Sequence, residues 1–242
     1  MDVLIVTAPK DFNKLPFVVE SIVKHIEGDL NFFFVSPCAI PDEFMFIDGH
    51  YLMDHEVVDF DFYSINMKHR RGWYRQQFIK LFQTVTSDHY LVIDSDVWID
   101  KTLNFEKPTF FIGKDQFHQP YFNLMKEVVN LDRVYPHSFI SEIMYFERER
   151  IHHMLNYIKT DENGFFTRCV EYINRANDAS GFSEYELYGN YVTKNWPKDY
   201  QYQDIKVLGQ AKRRGWAQVE MVSHINANTG KGYDLLTMHS WL

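Results

Sequence analysis

Two continuous apolar runs with a helical stretch between them constrain this chain more than any other feature. Val3-Leu4-Ile5-Val6-Thr7-Ala8 reads as a buried first strand, broken by Pro9-Lys10-Asp11. From about Leu15 to Ile26, Phe17, Ile22 and Ile26 recur at near-helical spacing, with Pro16 tolerated in the first turn. Asn31-Phe32-Phe33-Phe34-Val35 is a second strand. A strand–helix–strand opening implies a right-handed crossover and a parallel sheet.

A third run, Tyr90-Leu91-Val92-Ile93, ends in Asp94-Ser95-Asp96 and continues as Val97-Trp98-Ile99. Short runs of this kind read as buried strands of a parallel sheet. Two carboxylates two residues apart at a strand's carboxyl end lie where α/β sheets bind ligands. Uncompensated charge there is costly, so a cation is expected, most simply a divalent metal. The alternative is a solvated turn after a strand.

Trp73 to Val85 reads as a helix whose buried stripe is Phe78, Leu81, Phe82 and Val85. Its start is basic: Lys68-His69-Arg70-Arg71-Gly72-Trp73-Tyr74-Arg75-Gln76-Gln77-Phe78-Ile79-Lys80. Trp73, Gln76, Gln77 and Lys80 share one side. Arg71-Gly72 stands near the N-terminus, where backbone N–H groups favour anions. Cations, amides and an indole beside a metal site suit a nucleotide diphosphate; a solvated basic face is the plainer alternative.

Further along, residues 36–50 read as loop and Val57 to Phe60 as a short strand. Thr109 to Ile112 and Phe139 to Phe146 read as strands, Tyr121 to Val129, Glu147 to Ile158 and Phe165 to Ala176 as helices. Ser183 to about Thr193 is a further helix, with Ser183 and Glu186 spaced as a capping box. Val219 to His224 reads as a late strand before a polar tail, Asn226 to Gly232. The fold class expected is α/β, a mostly parallel sheet flanked by helices. It forms one domain over 1–242, with a nucleotide-binding half to about residue 100 and a mixed C-terminal half from about 101.

Apolar residues make up 45% of the chain and charged residues 24%, as in a globular protein. The net charge of −8 argues against a nucleic-acid partner or an anionic membrane surface. Cys38 and Cys169, the only cysteines, are expected as reduced thiols. No run approaches the roughly 18 apolar residues of a membrane helix. The start lacks a signal peptide's basic segment. A cytoplasmic location is expected.

In order along the chain, Thr7-Ala8-Pro9, Arg71-Gly72-Trp73-Tyr74-Arg75-Gln76-Gln77-x-x-Lys80, Leu91-Val92-Ile93-Asp94-Ser95-Asp96 and Phe182-Ser183-Glu184-Tyr185-Glu186-Leu187-Tyr188-Gly189 resemble small GT-A glycosyltransferases. The nearest group is bacterial and large-DNA-virus enzymes, including capsid-glycosylating proteins of algal viruses. The resemblance implies a GT-A, Rossmann-like fold and a nucleotide-sugar donor, a UDP-sugar by analogy, bound with Mn²⁺ or Mg²⁺. It also implies a glycan or glycoprotein acceptor. By this resemblance Asp96 binds the metal, and Asp94 holds the ribose or the metal through water. Thr7, Pro9 and Asp11 line the nucleobase pocket. Arg71, Gln76 and Lys80 touch nucleotide or sugar.

An inverting reaction needs a base for the acceptor hydroxyl. Glu184 and Glu186 open a helix, where ionised carboxylates are favoured. Glu184 is preferred, because Glu186 also fits the capping box, and Glu142 is a third candidate. His224 has the residue type of the C-terminal metal ligand of many retaining GT-A enzymes. Lys231, in Thr229-Gly230-Lys231-Gly232, has that of a diphosphate contact. That tetrapeptide lacks the flanking residues of a P-loop.

Two other functions share parts of the pattern. Haloacid-dehalogenase-type phosphatases also use an apolar strand followed by Asp-x-Asp, with the first Asp, here Asp94, as nucleophile. In them the motif sits on the first strand, and a Thr or Val stands where this chain has Trp98. A non-catalytic nucleotide- or glycan-binding module is the third reading.

Overall fold

The apolar runs become the middle of a sheet that is buried on both faces. The computed structural model describes residues 1–45, 47–113, 117–213 and 215–240. The first half contains β1 (Asp2–Val6), α1 (Leu15–His25), β2 (Asn31–Ser36), β3 (Gly49–Met53), α2 (Asp54–Val57), α3 (Arg71–Phe82), β4 (His89–Ile93) and β5 (Val97–Ile99). Next come β6 (Thr109–Ile112), α4 (Gln119–Leu124), β7 (Ile143–Glu147), α5 (Arg148–Tyr157), α6 (Glu162–Ala176) and α7 (Glu184–Asn195). The last elements are β8 (Gln201–Asp204), β9 (Val207–Lys212), α8 (Gln218–Asn228) and β10 (Leu235–Ser240).

The main sheet has the order β3-β2-β1-β4-β7. All its pairings are parallel except β4–β7. Alternation along each strand feeds two cores. Val3, Ile5, Phe32, Phe34, Leu91 and Ile93 face the layer of α1, while Leu4, Val6, Phe33, Val35, Tyr90 and Val92 face that of α3. Helices on both faces explain why these strands read as unbroken apolar runs.

With α1 and α3 on opposite faces, the strand order reverses between β1 and β4. Ligands of open α/β sheets bind at the carboxyl ends of such strands. Thr7 to Asp11 leave β1 at that point, and Asp94 leaves β4. The mixed sheet β5-β10-β9 lies beyond it, with α8 packed on a small core of Trp98, Trp216, Met221, Ile225, Leu236 and Met238.

Three expectations are corrected. The strand expected at Val57 to Phe60 is absent; Val57 ends α2, and the edge strand is β3, which begins at the end of the stretch read as loop. Tyr51 and His50 stack on Phe34 and Phe33 at 4.8 and 4.6 Å and carry the pairing that the sequence pattern hid. The strand expected at Val219 to His224 is helix α8. There Met221, His224 and Ile225 are buried at i, i+3, i+4 spacing, while Val219 and Val222 face solvent. The stretch read as a polar tail begins inside α8, and β10 follows it, pairing with both β5 and β9.

Candidate active site

Asp94 follows β4 directly, and its N–H donates to the Glu142 carbonyl (3.0 Å), so the β4–β7 ladder runs one residue past Ile93. Its Oδ1 accepts from Lys80 Nζ (2.6 Å) and from the Tyr185 hydroxyl (3.1 Å). Lys80 also meets Glu184 Oε1 at 3.0 Å and lies over the Tyr185 ring. One buried ammonium therefore joins two carboxylates from different elements.

Helix packing puts them there. Lys80 is in the last turn of α3, pinned to β4 by the Tyr90 hydroxyl donating to the Lys80 carbonyl (2.8 Å). Glu184 opens α7, and its N–H donates to Gln77 Oε1 (3.3 Å). Burial alone would lower the Lys80 pKa, but Asp94 and Glu184 outweigh it and hold the ammonium charged. Burial raises Glu184 above the usual carboxylate range, against the pull of Lys80. The Glu142 carboxyl hydrogen-bonds to that of Asp94; burial first, and then Asp94, push it well up.

Asp96 is gripped from elsewhere. Its Oδ2 lies 3.0 Å from His239 Nδ1 and 3.9 Å from Lys14 Nζ. His239 Nε2 meets Thr237 Oγ1 at 3.0 Å, which fixes the ring. Burial pushes the Asp96 pKa up, but His239 and Lys14 bring it below its ordinary value. Burial likewise lowers His239, and Asp96 more than restores it. Lys14 is wholly buried and also pairs with Asp11, which meets Lys10 at 3.5 Å. Burial raises Asp11 despite Lys14. Thr7 is buried at the exit of β1, its Oγ1 without a hydrogen-bond partner. Pro9 is exposed and starts the short 3₁₀ turn that carries Asp11 and Lys14.

The structure thus gathers Asp94, Lys80 and Glu184 on one side and Asp96 and Asp11, beside Thr7, on the other. The remaining expected site residues are engaged differently. The Glu186 carboxylate accepts from Ser138 Oγ (2.5 Å) and Asn190 Nδ2 (3.2 Å). Ser183 does cap α7, but Glu186 does not complete a capping box. Arg71 donates to the Tyr63 and Ile65 carbonyls and lies over the Tyr63 ring. Gln76 is half-buried on α3, and Lys231 is exposed in the turn after α8. His224, expected on the metal, packs on Trp216 and pairs with Asn228; none of its described contacts is with Asp94 or Asp96.

Lys14, Tyr185 and His239 went unread in the sequence. His239 had a signal: Leu235-Leu236-Thr237-Met238 is an apolar run of strand length leading to it. Lys14 had only its spacing from Asp11, since Asp96 reaches it through the fold.

Among the described residues, no group of three or more His, Cys, Asp and Glu side chains is arranged to hold a metal ion. What stands together is a pair of donors, the Asp96 carboxylate and the His239 imidazole. Two protein ligands are enough for a cation that takes its remaining ligands from a diphosphate and water, the habit of Mg²⁺ at nucleotide sites. The donors therefore fit a metal that arrives with a phosphorylated ligand, and not a resident structural ion.

A family of unknown function (DUF6492) matches residues 3–215. The chain belongs to that family. No curated protein matches it. Among solved structures, an active-site mutant of LgtC is similar at 10% identity and a TM-score of 0.50, covering 98% of this chain and 86% of that one. The galactosyltransferase LgtC in complex with donor and acceptor sugar analogs is similar at 9% identity and a TM-score of 0.49, with the same coverage. The former likeness is one of fold, and it agrees with the α/β, GT-A-like sheet described above. Among the described residues, no helix is long and apolar enough to cross a membrane.

Proposed function

We propose that this protein is a glycosyltransferase that moves a sugar from a nucleotide-sugar donor, a UDP-sugar in the first instance, to a hydroxyl of a glycan or glycoprotein. One observation carries the reading: at the switch point between β1 and β4, a buried lysine joins Asp94 to Glu184 beside the Asp96–His239 pair. An acidic pair matched by buried cations suits a ligand that brings both phosphate and metal.

In this reading Thr7 and Asp11 take the nucleobase side, where the Thr7 hydroxyl lacks a partner within the protein. Asp94 holds the ribose. Lys80 faces the diphosphate and stabilises the charge that grows on it as the anomeric C–O bond breaks. Asp96 and His239 would hold Mn²⁺ or Mg²⁺, which supplies further charge neutralisation at the leaving diphosphate. Glu184 takes the acceptor proton as the new C–O bond forms. Its raised pKa places it nearer to neutrality than an ordinary carboxylate, as general-base work favours.

The engagement of Asp94 with Lys80, Tyr185 and Glu142 tells against a phosphatase nucleophile, whose carboxylate must be able to attack phosphorus. A thermal-shift screen of nucleotide sugars with Mn²⁺ tests the donor, since a ligand of the native state raises Tm. NMR of the product's anomeric configuration then tests the base. Inversion is expected; retention would remove that role from Glu184 and leave the donor site standing.

A further inference from the structure

Four non-glycine residues among those described have a positive φ. Asn130 and Asn177 are left-handed caps at helix ends, and Lys159 lies just past α5, where the conformation is common. Glu142, at φ +64°, follows no helix. It stands immediately before β7, in the floor of the site, in a region of backbone space that favours glycine.

The surroundings hold it in place. Its carbonyl accepts from the Asp94 N–H, and the next residue, Ile143, is in register with Ile93. Ser141 Oγ donates to the Ile143 carbonyl (2.8 Å), bracing the turn from the other side. The side chain adds a second cost to the strained backbone, because its carboxyl is enclosed against that of Asp94 and lies in the field of Asp96. A sequence serving the fold alone would place glycine here. Strain kept at such a point marks function.

We propose that Glu142 is a positioning residue of the donor site: its left-handed backbone delivers a carboxyl that clamps Asp94 toward Lys80 and Tyr185 before the donor arrives. The inference rests on the nucleotide-sugar reading above.

The test uses the full chain with Glu142→Gly and Glu142→Gln. Titration calorimetry with UDP and GDP in Mn²⁺ is paired with thermal melts. Glycine relieves the backbone, so Tm is expected to stay or to rise by up to about 3 °C, while nucleotide affinity falls about tenfold. Glutamine keeps a hydrogen-bond donor at the same reach and should restore affinity to within about threefold of wild type. Three results would overturn the role for Glu142 alone: wild-type affinity in E142G, no restoration in E142Q, or a fall in Tm of more than about 5 °C in E142G. Failure of the wild-type protein to bind either nucleotide would overturn the donor reading, and the role for Glu142 with it.

Discussion

Asp94 and Asp96 are two residues apart, yet different parts of the chain hold them. Asp94 is held by α3 and α7, two helices packed on the same core, through Lys80 and Tyr185. Asp96 is held from the ends of the chain, by Lys14 in the first turn after β1 and by His239 in β10, 143 residues later. The Asp94 side is a floor set by helix packing. The Asp96 side is complete only when β10 has paired with β5, so the half suited to a metal depends on the least local contact in the site.

The comparison can be broken first on the Asp94 side. Lys80→Met leaves Asp94 and Glu184 without their shared cation. Losing one member of a buried ionic group costs about 3–5 kcal/mol, and urea denaturation should show a loss of that order. A loss under about 1 kcal/mol would mean that the carboxylates are hydrated and that Lys80 does not organise them.

Glu184 and Glu186 provide the next contrast: two residues apart on α7, they lie on opposite sides of the helix and meet different partners. Glu184→Gln should lower kcat about 100-fold, within the range of general-base losses. Glu186→Gln should keep kcat within about threefold and cost about 1 kcal/mol of stability, by weakening its bonds to Ser138 and Asn190. Steady-state kinetics on both variants checks this, and equal losses would erase the distinction.

The smallest effects separate the two histidines. His239→Ala should weaken Mn²⁺ binding in the presence of nucleoside diphosphate about tenfold, read by electron paramagnetic resonance of free Mn²⁺. His224→Ala should leave it unchanged, since His224 packs on Trp216 in the small core under α8. The reverse result would return the metal role to His224.

These contrasts also mark what could be read in the sequence. β1, β2 and β4 were legible because strands buried on both faces are unbroken apolar runs, and the Asp94–Lys80 side followed from a strand end and one helix. β3 was not legible, because an edge strand is partly exposed and its pairing rests on aromatic stacking. α8 was misread because Val219, Met221 and Val222 make a short apolar run of strand length, while burial follows helical spacing through Met221, His224 and Ile225. Lys14 and His239 were missed because nothing local links either of them to Asp96; the fold alone brings them there. A residue type expected at the C-terminal metal position was present twice, and only topology chooses between His224 and His239.

Titration calorimetry of wild-type protein and Asp96→Asn with UDP and GDP, with and without Mn²⁺, tests the donor site most directly. Wild-type protein should bind one nucleotide in a metal-dependent way. The variant, still folded by circular dichroism, should bind it about 100-fold more weakly, the loss of a charged partner at a buried contact. Equal, metal-dependent binding by both proteins would contradict the placement of the metal on Asp96, and no binding by the wild type would contradict the nucleotide-sugar site itself.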